Sequence, residues 1–514
     1  MSIDSETPAP ALVDESPVTR RLLLESDPHQ TRVAVLEDGK LTEVYMERRK
    51  SRGVVGNVYK GKVSRILPGM QAAFVDIGLA RDAFLFAGDV RETLSDLDEL
   101  AEADPQTREF PAVDVRPIED LLSKGDELIV QVVKAPLPNK GARITTEITL
   151  PGRFIVYVPT VRNLGVSRRI RDAEERERLR LVLEELAPED AGLIVRTAGE
   201  GRRKKDFAAD LGFLARRWSG IEERARAVKA PTLLHEDFDL ALRTIRDRFT
   251  DEVVELLVDG TEVYERVVDF ASEVAPLLVD RIRLFEEEAA LFARLGIENE
   301  ITAALKSKVW LRSGGYIVIN PTEALVAIDV NTGRFVGKKN LEDTVFKTNL
   351  EAVKEIVRQI RLRDLSGIIV VDLIDMSDPE HREEVWLALE RELRKDRAKN
   401  QALRLSEFGL VEITRKRSRD NLARLLTRPC PECGGSGRIL AVTTICLKLR
   451  REVLARCKHL DDHKLVVRVH AEVAAALDSD QREILDELRE ALGEQLVIQA
   501  DDRLPHECYE ITEV

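Results

Sequence analysis

The sequence predicts a multidomain α/β protein with a small β-barrel in its N-terminal half, and three observations carry that reading. Between residues 56 and 150, short stretches of apolar character follow one another with glycine-marked turns, the pattern of an OB-type barrel. Further on, two near-continuous apolar runs, 323–329 and Gly367–Asp372, flank a helical pattern. That order is a βαβ unit with strands buried on both faces. Finally, 514 residues exceed what one hydrophobic core can hold, so the chain divides into several modules.

Taken in order, residues 1–17 are polar, acidic and dotted with proline, the composition of a disordered tail. Residues 18–52 alternate in short strands, as in TRVAVLEDGKLTEVYME, with a turn at Asp38-Gly39. The barrel strands read NVYKGKVSRIL, QAAFVDIG, DAFLF, ELIVQVV and ARITTEI, and the acid-rich stretch 91–123 is an insertion among them. A charged helix near 172–186 and a strand at 193–196 follow, and 210–295 is mainly amphipathic helix with short strands such as VVELLVDG. Between the two apolar runs, a helix over roughly 347–364 aligns Leu350, Val353, Ile356, Val357 and Ile360 in one stripe. Beyond a cysteine pair at 430 and 433, the remainder is a small α/β module.

Composition narrows the class. No apolar run approaches the roughly 18 residues of a membrane span, and the N-terminus lacks the apolar core of a signal peptide. Five cysteines in so long a chain make no disulfide framework, which fits a reducing cytoplasm. The net charge of -14 argues against a sequence-blind DNA coat. RNA binding depends on local charge instead, and basic residues cluster at 168–171, 202–205 and 415–419; a solvated face is the plainer account of each cluster.

The βαβ unit carries the first candidate site. Parallel strands of an open sheet present their carboxyl ends along one edge, where ligands bind. Asp329 ends the first apolar run and Asp372 the second, so neighbouring strands would bring the two carboxylates together. Strand alternation returns Asn331 to the face of Asp329, whereas Asp375, three beyond Asp372, is expected to point elsewhere. Two aspartates and an amide suit Mg²⁺, which takes one or two carboxylates and leaves room for water and phosphate oxygens. Arg334, Lys338 and Lys339 in the following loop are candidate phosphate contacts. The competing account is that the aspartates merely cap turns after buried strands.

Three further places invite a ligand. Phe74 and Phe84 on adjacent barrel strands, with Lys140 in a PNKG turn, could stack bases and meet phosphate, or the rings could be core. Arg196 and Thr197 enter the turn TAGEG, where an arginine fork and turn amides suit a phosphate; an ordinary exposed turn is the alternative. Cys430-Pro-Glu-Cys433 before Gly-Gly-Ser-Gly reads as half of a zinc site, since structural zinc takes four ligands. Cys446 and Cys457, or a second chain's pair, would complete it. A redox pair would instead begin a helix in a thioredoxin-like unit.

The segment AIDVNTGRFVGKKNLEDTVFKTNLEAVKEIVRQIRLRDLSGIIVVDLIDM resembles the catalytic segment of the ribonuclease E/G family, and the likeness runs from about residue 18 through most of the chain. ILPGMQAAFVDIGLARDAFL and KGARITTEITLPGR are similar to its G-type members. The resemblance implies an RNase H-like part split into 18–52 and 243–305 around an S1 barrel (53–146) and a 5′-phosphate sensor region (147–242). A DNase I-like catalytic domain (306–426), a zinc link (427–440) and a small C-terminal domain (441–514) then follow. It also implies that Asp329 and Asp372 hold Mg²⁺ with help from Asn331, and that Phe74, Phe84 and Lys140 contact RNA. Arg196, Thr197, Gly152 and Val156 would line the sensor, where Lys399 stands for a family arginine and keeps charge without the bidentate fork. Cys430 and Cys433 would share Zn²⁺ between two protomers. The expected activity is endonucleolytic cleavage of single-stranded RNA, in 16S ribosomal RNA 5′ maturation and messenger decay, by a homodimer or larger oligomer. An RNA-binding scaffold and a Mg²⁺-dependent DNA nuclease are the rival readings.

Overall fold

The computed structural model describes residues 18–90, 116–136, 140–333, 341–417, 419–457 and 464–514. The acidic tail 1–17, most of the insertion 91–123, and Arg334, Lys338 and Lys339 lie outside the described residues. The chain forms two compact units, Met1–Ala423 and Arg424–Val514.

In the first unit, strands far apart in sequence build one five-stranded sheet in the order Ile282–Phe285, Val253–Asp259, Arg20–Ser26, Gln30–Glu37, Lys40–Arg48. The first three run parallel and the last three form an antiparallel meander. Leu22, Leu24, Val33 and Val35 alternate into a core shared with the helices Leu240–Arg248 and Thr261–Val274.

The barrel closes because Val58–Leu67 pairs on both sides, with Ala72–Asp76 and with Glu127–Lys134. Ala83–Phe86 and Arg143–Thr145 complete the ring. Closure leaves no free edge within the ring. A smaller four-stranded sheet of Leu150–Pro151, Ile155–Val158, Gly192–Val195 and Leu164–Val166 follows, packed on the helix Lys204–Ala227. Its strand Gly192–Val195 ends one residue earlier than sequence reading placed it, so Arg196 begins the turn instead of ending the strand.

A six-stranded sheet fills the rest of the first unit, in the order Lys308–Trp310, Tyr316–Pro321, Leu325–Asn331, Gly367–Asp372, Leu410–Arg415, Asn400–Ala402. Only the central pair is parallel, as the βαβ order demands. Its crossover helix spans Leu341–Arg363, beginning about two turns before the expected stripe. Those first turns carry Glu342 and Asp343, which favour a helix N-terminus without marking an apolar face. Ala352, Val353, Ile356, Val357 and Ile360 pack with Ile317, Ile328, Ile369, Val371 and the helix Pro379–Leu393 into one core. Each such valine or isoleucine side chain, fully buried, contributes about 1.5–3 kcal/mol.

The second unit is a three-stranded sheet, with Leu465–Val469 central between Leu496–Ala500 and Tyr509–Glu513. The helices Val442–Cys457, Ala471–Asp478 and Arg482–Leu492 pack around it. Among the described residues no helix is long and apolar enough to cross a membrane.

Candidate active site and RNA contacts

Asp329 and Asp372 are register partners across the parallel strands Leu325–Asn331 and Gly367–Asp372. Val326, Ile328 and Val330 turn inward, as do Ile369 and Val371, so both aspartates stand exposed on the opposite face. Asn331 lies on that face too, and its Nδ2 donates to Asp329 Oδ2 at 2.7 Å. Partial burial, then the charges of Asp329 and Asp375, push the Asp372 carboxyl up. Asp375 is therefore near enough to act electrostatically, although alternation along an extended strand directs it elsewhere; the strand ends at Asp372 and alternation ends with it. Crowded like charges are the arrangement that a divalent cation relieves.

The backbone after Asp372 is anchored by a residue that sequence reading passed over. Asn349, fully buried on the crossover helix, donates from Nδ2 to the Ile374 carbonyl at 2.8 Å and accepts the Ile374 N–H on Oδ1 at 3.1 Å. On the other strand, Gly333 has φ +62°, and a Cβ there would come within 2.5 Å of the Gly314 carbonyl. Only glycine lets the chain leave Asn331 so close to the neighbouring hairpin.

On the barrel, Phe74 and Phe84 are also register partners, their rings 5.5 Å apart and edge-on. Neither ring is buried in the core. Phe86 extends the row, 4.4 Å from Phe84 and 38% exposed. The Arg65 and Arg143 guanidiniums sit over Phe74 and Phe86 at 4.9 and 4.8 Å. Lys140 is exposed and leads into the strand beside Ala83–Phe86. Phe86 was readable from its spacing to Phe84; the two arginines were not.

The sensor residues divide. Arg196 donates through Nη1 to the Gly152 carbonyl and to Asp247 Oδ1, and the Thr197 hydroxyl lies 3.3 Å from that of Ser167. Burial raises the Asp247 carboxyl, but the charges of Arg196 and Arg246 outweigh it and hold the group far below the usual range. Gly152 abuts the buried Asp210 carboxylate, which a Cβ would meet at 2.5 Å and which accepts the N–H groups of Arg153, Phe154 and Ile155. The Val156 side chain points into a small core with Val158 and Ile194, so only its backbone can line a pocket. Lys399 is exposed, with its carbonyl paired to the Lys416 N–H, whereas the Arg196 guanidinium is held by Gly152 and Asp247.

In the second unit, Cys430 and Cys433 sit in a turn, not at the start of a helix; the next helix begins at Val442. N–H groups of Gly435 and Gly437 bond the Cys433 sulfur and draw its thiol pKa down, with Cys430 beside it. A lowered thiol pKa suits metal ligation and redox chemistry alike; the turn, in place of a helix start, is what the zinc reading expects. Cys446 is buried in the core of this unit, where burial pushes its thiol up, so it is no partner for the pair; the Cys457 side chain lies outside the described residues. Sequence reading also missed His470, Glu472 and His506, whose ligand atoms lie within 4.8 Å of one another.

A sequence model described as "Ribonuclease E/G family" matches residues 149–418. A second, "RNase E/G, Thioredoxin-like domain", matches 429–514. Ribonuclease G of Escherichia coli (strain K12) is 41% identical over 494 residues, 96% of this chain and 99% of that protein. Ribonuclease G of Haemophilus influenzae is 39% identical over 493 residues, 95% of this chain and 98% of that protein. Ribonuclease E of Haemophilus influenzae is 33% identical over 491 residues, 95% of this chain and 51% of that protein.

Proposed function

From the premise that the chain belongs to the ribonuclease E/G family, and so is an endoribonuclease of RNA processing, we propose that Asp329, Asn331 and Asp372 form a Mg²⁺-dependent centre that hydrolyses single-stranded RNA. The observation that carries this is the register pairing of two exposed carboxylates at the ends of parallel strands. Asp329 and Asp372 would hold the ion, and Asn331 fixes the orientation of Asp329 through its amide. When bound, Mg²⁺ supplies polarisation of the scissile phosphate and a lowered pKa for water. Hydrolysis of the P–O3′ bond yields 5′-phosphate and 3′-hydroxyl ends.

The remaining parts serve recognition. The Phe74–Phe84–Phe86 row with Arg65, Arg143 and Lys140 suits stacked bases and their phosphates. Arg196 and Thr197 suit a 5′-monophosphate, and an incoming phosphate would share Arg196 with Asp247, which favours such substrates only where its contacts outdo that ion pair. The four-module division of the first unit, zinc shared through Cys430 and Cys433 by a homodimer, a cytoplasmic site of action, and roles in 16S ribosomal RNA maturation and messenger decay belong to the same reading. Matched RNA and DNA oligonucleotides, each with Mg²⁺ or EDTA, test it. RNA cleavage that persists in EDTA, or equal cleavage of DNA, would overturn it.

A further inference from the structure

The exposed face of the six-stranded sheet continues beyond the carboxylate pair. Tyr316 is the register partner of Asn331, and Trp310 is the register partner of Tyr316. Residues directly opposite on neighbouring strands share a face, and burial agrees, because Val309, Ile317 and Ile319 turn to the core on the other side. Trp310, Tyr316 and Asn331 thus form one row on the face of Asp329 and Asp372. Trp310 is 65% exposed, and its ring lies 5.3 Å from that of Tyr316 at 63°. Lys308 Nζ stands 4.1 Å from the Trp310 ring centroid and 3.5 Å from that of Tyr316. Among the described residues no carboxylate pairs with Lys308.

We propose that Trp310 and Tyr316, with Lys308 beside them, form a stacking platform for a base of the single-stranded RNA next to the cleaved bond. A scattered exposed aromatic needs no explanation, but this one is grouped with a second ring and a cation held against both rings, in a row that ends at the candidate catalytic centre. With strands about 4.8 Å apart, Tyr316 lies about 5 Å and Trp310 about 10 Å across the sheet from Asn331. That is the reach of nucleotides neighbouring the scissile phosphate. Rings take up any base by its π-face, and a lysine meets backbone phosphate. The platform is separate from the barrel aromatics and would fix where along the strand the phosphate comes to rest. It rests on the assignment of Asp329 and Asp372 as the cleaving pair.

The test is single-turnover cleavage by the full chain of one defined RNA oligonucleotide and of copies with a single abasic nucleotide at each position around the cut. One position close to the cut should matter to the native protein by roughly five- to hundredfold, the worth of one base on an aromatic ring. Trp310→Ala should lose a similar factor on intact RNA and no more at that abasic position, while Trp310→Tyr keeps most of the rate. An unchanged rate on intact RNA, or undiminished abasic sensitivity in Trp310→Ala, overturns the platform. A smaller particle in sedimentation with an unchanged abasic profile would mean that Trp310 faces a second copy, which also overturns it. Native rates in Asp329→Asn and Asp372→Asn would instead overturn the catalytic assignment, whatever the abasic profile of Trp310→Ala.

Discussion

Asp329 and Asp372 stand opposite one another on two parallel strands, both exposed on the face away from the buried Ile328, Val330, Ile369 and Val371. Replacing either by Asn removes a charge and keeps the shape. We expect both variants to fold and RNA cleavage to fall on the order of a hundredfold or more, since a metal-assisted phosphate loses several kcal/mol of charge stabilisation. Cleavage at varied Mg²⁺ with a circular dichroism control checks this, and native rates would refute it.

Asn349 ties the crossover helix to Ile374, two residues beyond Asp372. Asn349→Ala leaves a buried N–H and a carbonyl unpaired, at about 2 kcal/mol in stability. As a positioning residue, it should lower kcat more than it raises KM. A variant with lower thermal stability and an unaltered kcat would confine Asn349 to a structural role.

Arg361, on the same helix, bridges Glu37 and Glu43 of the first sheet. Burial raises both carboxyls, yet the arginine charges around them hold them below their ordinary 4.5. The sign follows: groups with depressed pKa contribute stability in full above 4.5, and it drains as pH falls towards the folded values. Arg361→Met takes one arginine from each buried carboxylate, leaving Glu37 with Arg20 and Glu43 with Arg248, and should cost about 2 kcal/mol at pH 7. Urea melts should show the gap to the native chain narrowing towards pH 4 as the carboxylates protonate. A gap constant with pH would contradict the linkage.

Arg196→Ala should shrink the advantage of a 5′-monophosphate over a 5′-hydroxyl RNA and leave the 5′-hydroxyl rate nearly alone. An equal loss on both substrates would assign Arg196 to holding Asp247 and Gly152 in place.

What the sequence disclosed was local. The near-continuous apolar runs ending at Asp329 and Asp372, the five short barrel strands and the placing of Phe74 and Phe84 on adjacent strands follow from patterns that neighbouring residues carry by themselves. The runs suggest burial on both faces, whereas the structure leaves one face exposed. Links between distant segments were not legible. Nothing near Asn349 announces Ile374, nothing near Arg196 announces Asp247, and Trp310 gains meaning only once the register puts it in line with Asn331. Those relations arise when strands choose partners, and no periodicity in one segment encodes that choice.

Cys430 and Cys433 give one chain two thiols in a turn whose amides favour the charged Cys433 sulfur, and tetrahedral zinc asks for four ligands. Cys446 is locked in a core and does not complete the set; on the proposed reading a second copy about a two-fold axis supplies the missing pair. Cys430→Ser with Cys433→Ser should therefore give smaller particles in sedimentation, and chelators should do the same to the native protein. Metal analysis should find about one zinc per two chains on that four-thiolate count. Zinc that survives loss of both cysteines would point to His470, Glu472 and His506, a set of ligand atoms gathered among the described residues of this unit. A native-sized particle without zinc would show that the chains associate through other surfaces.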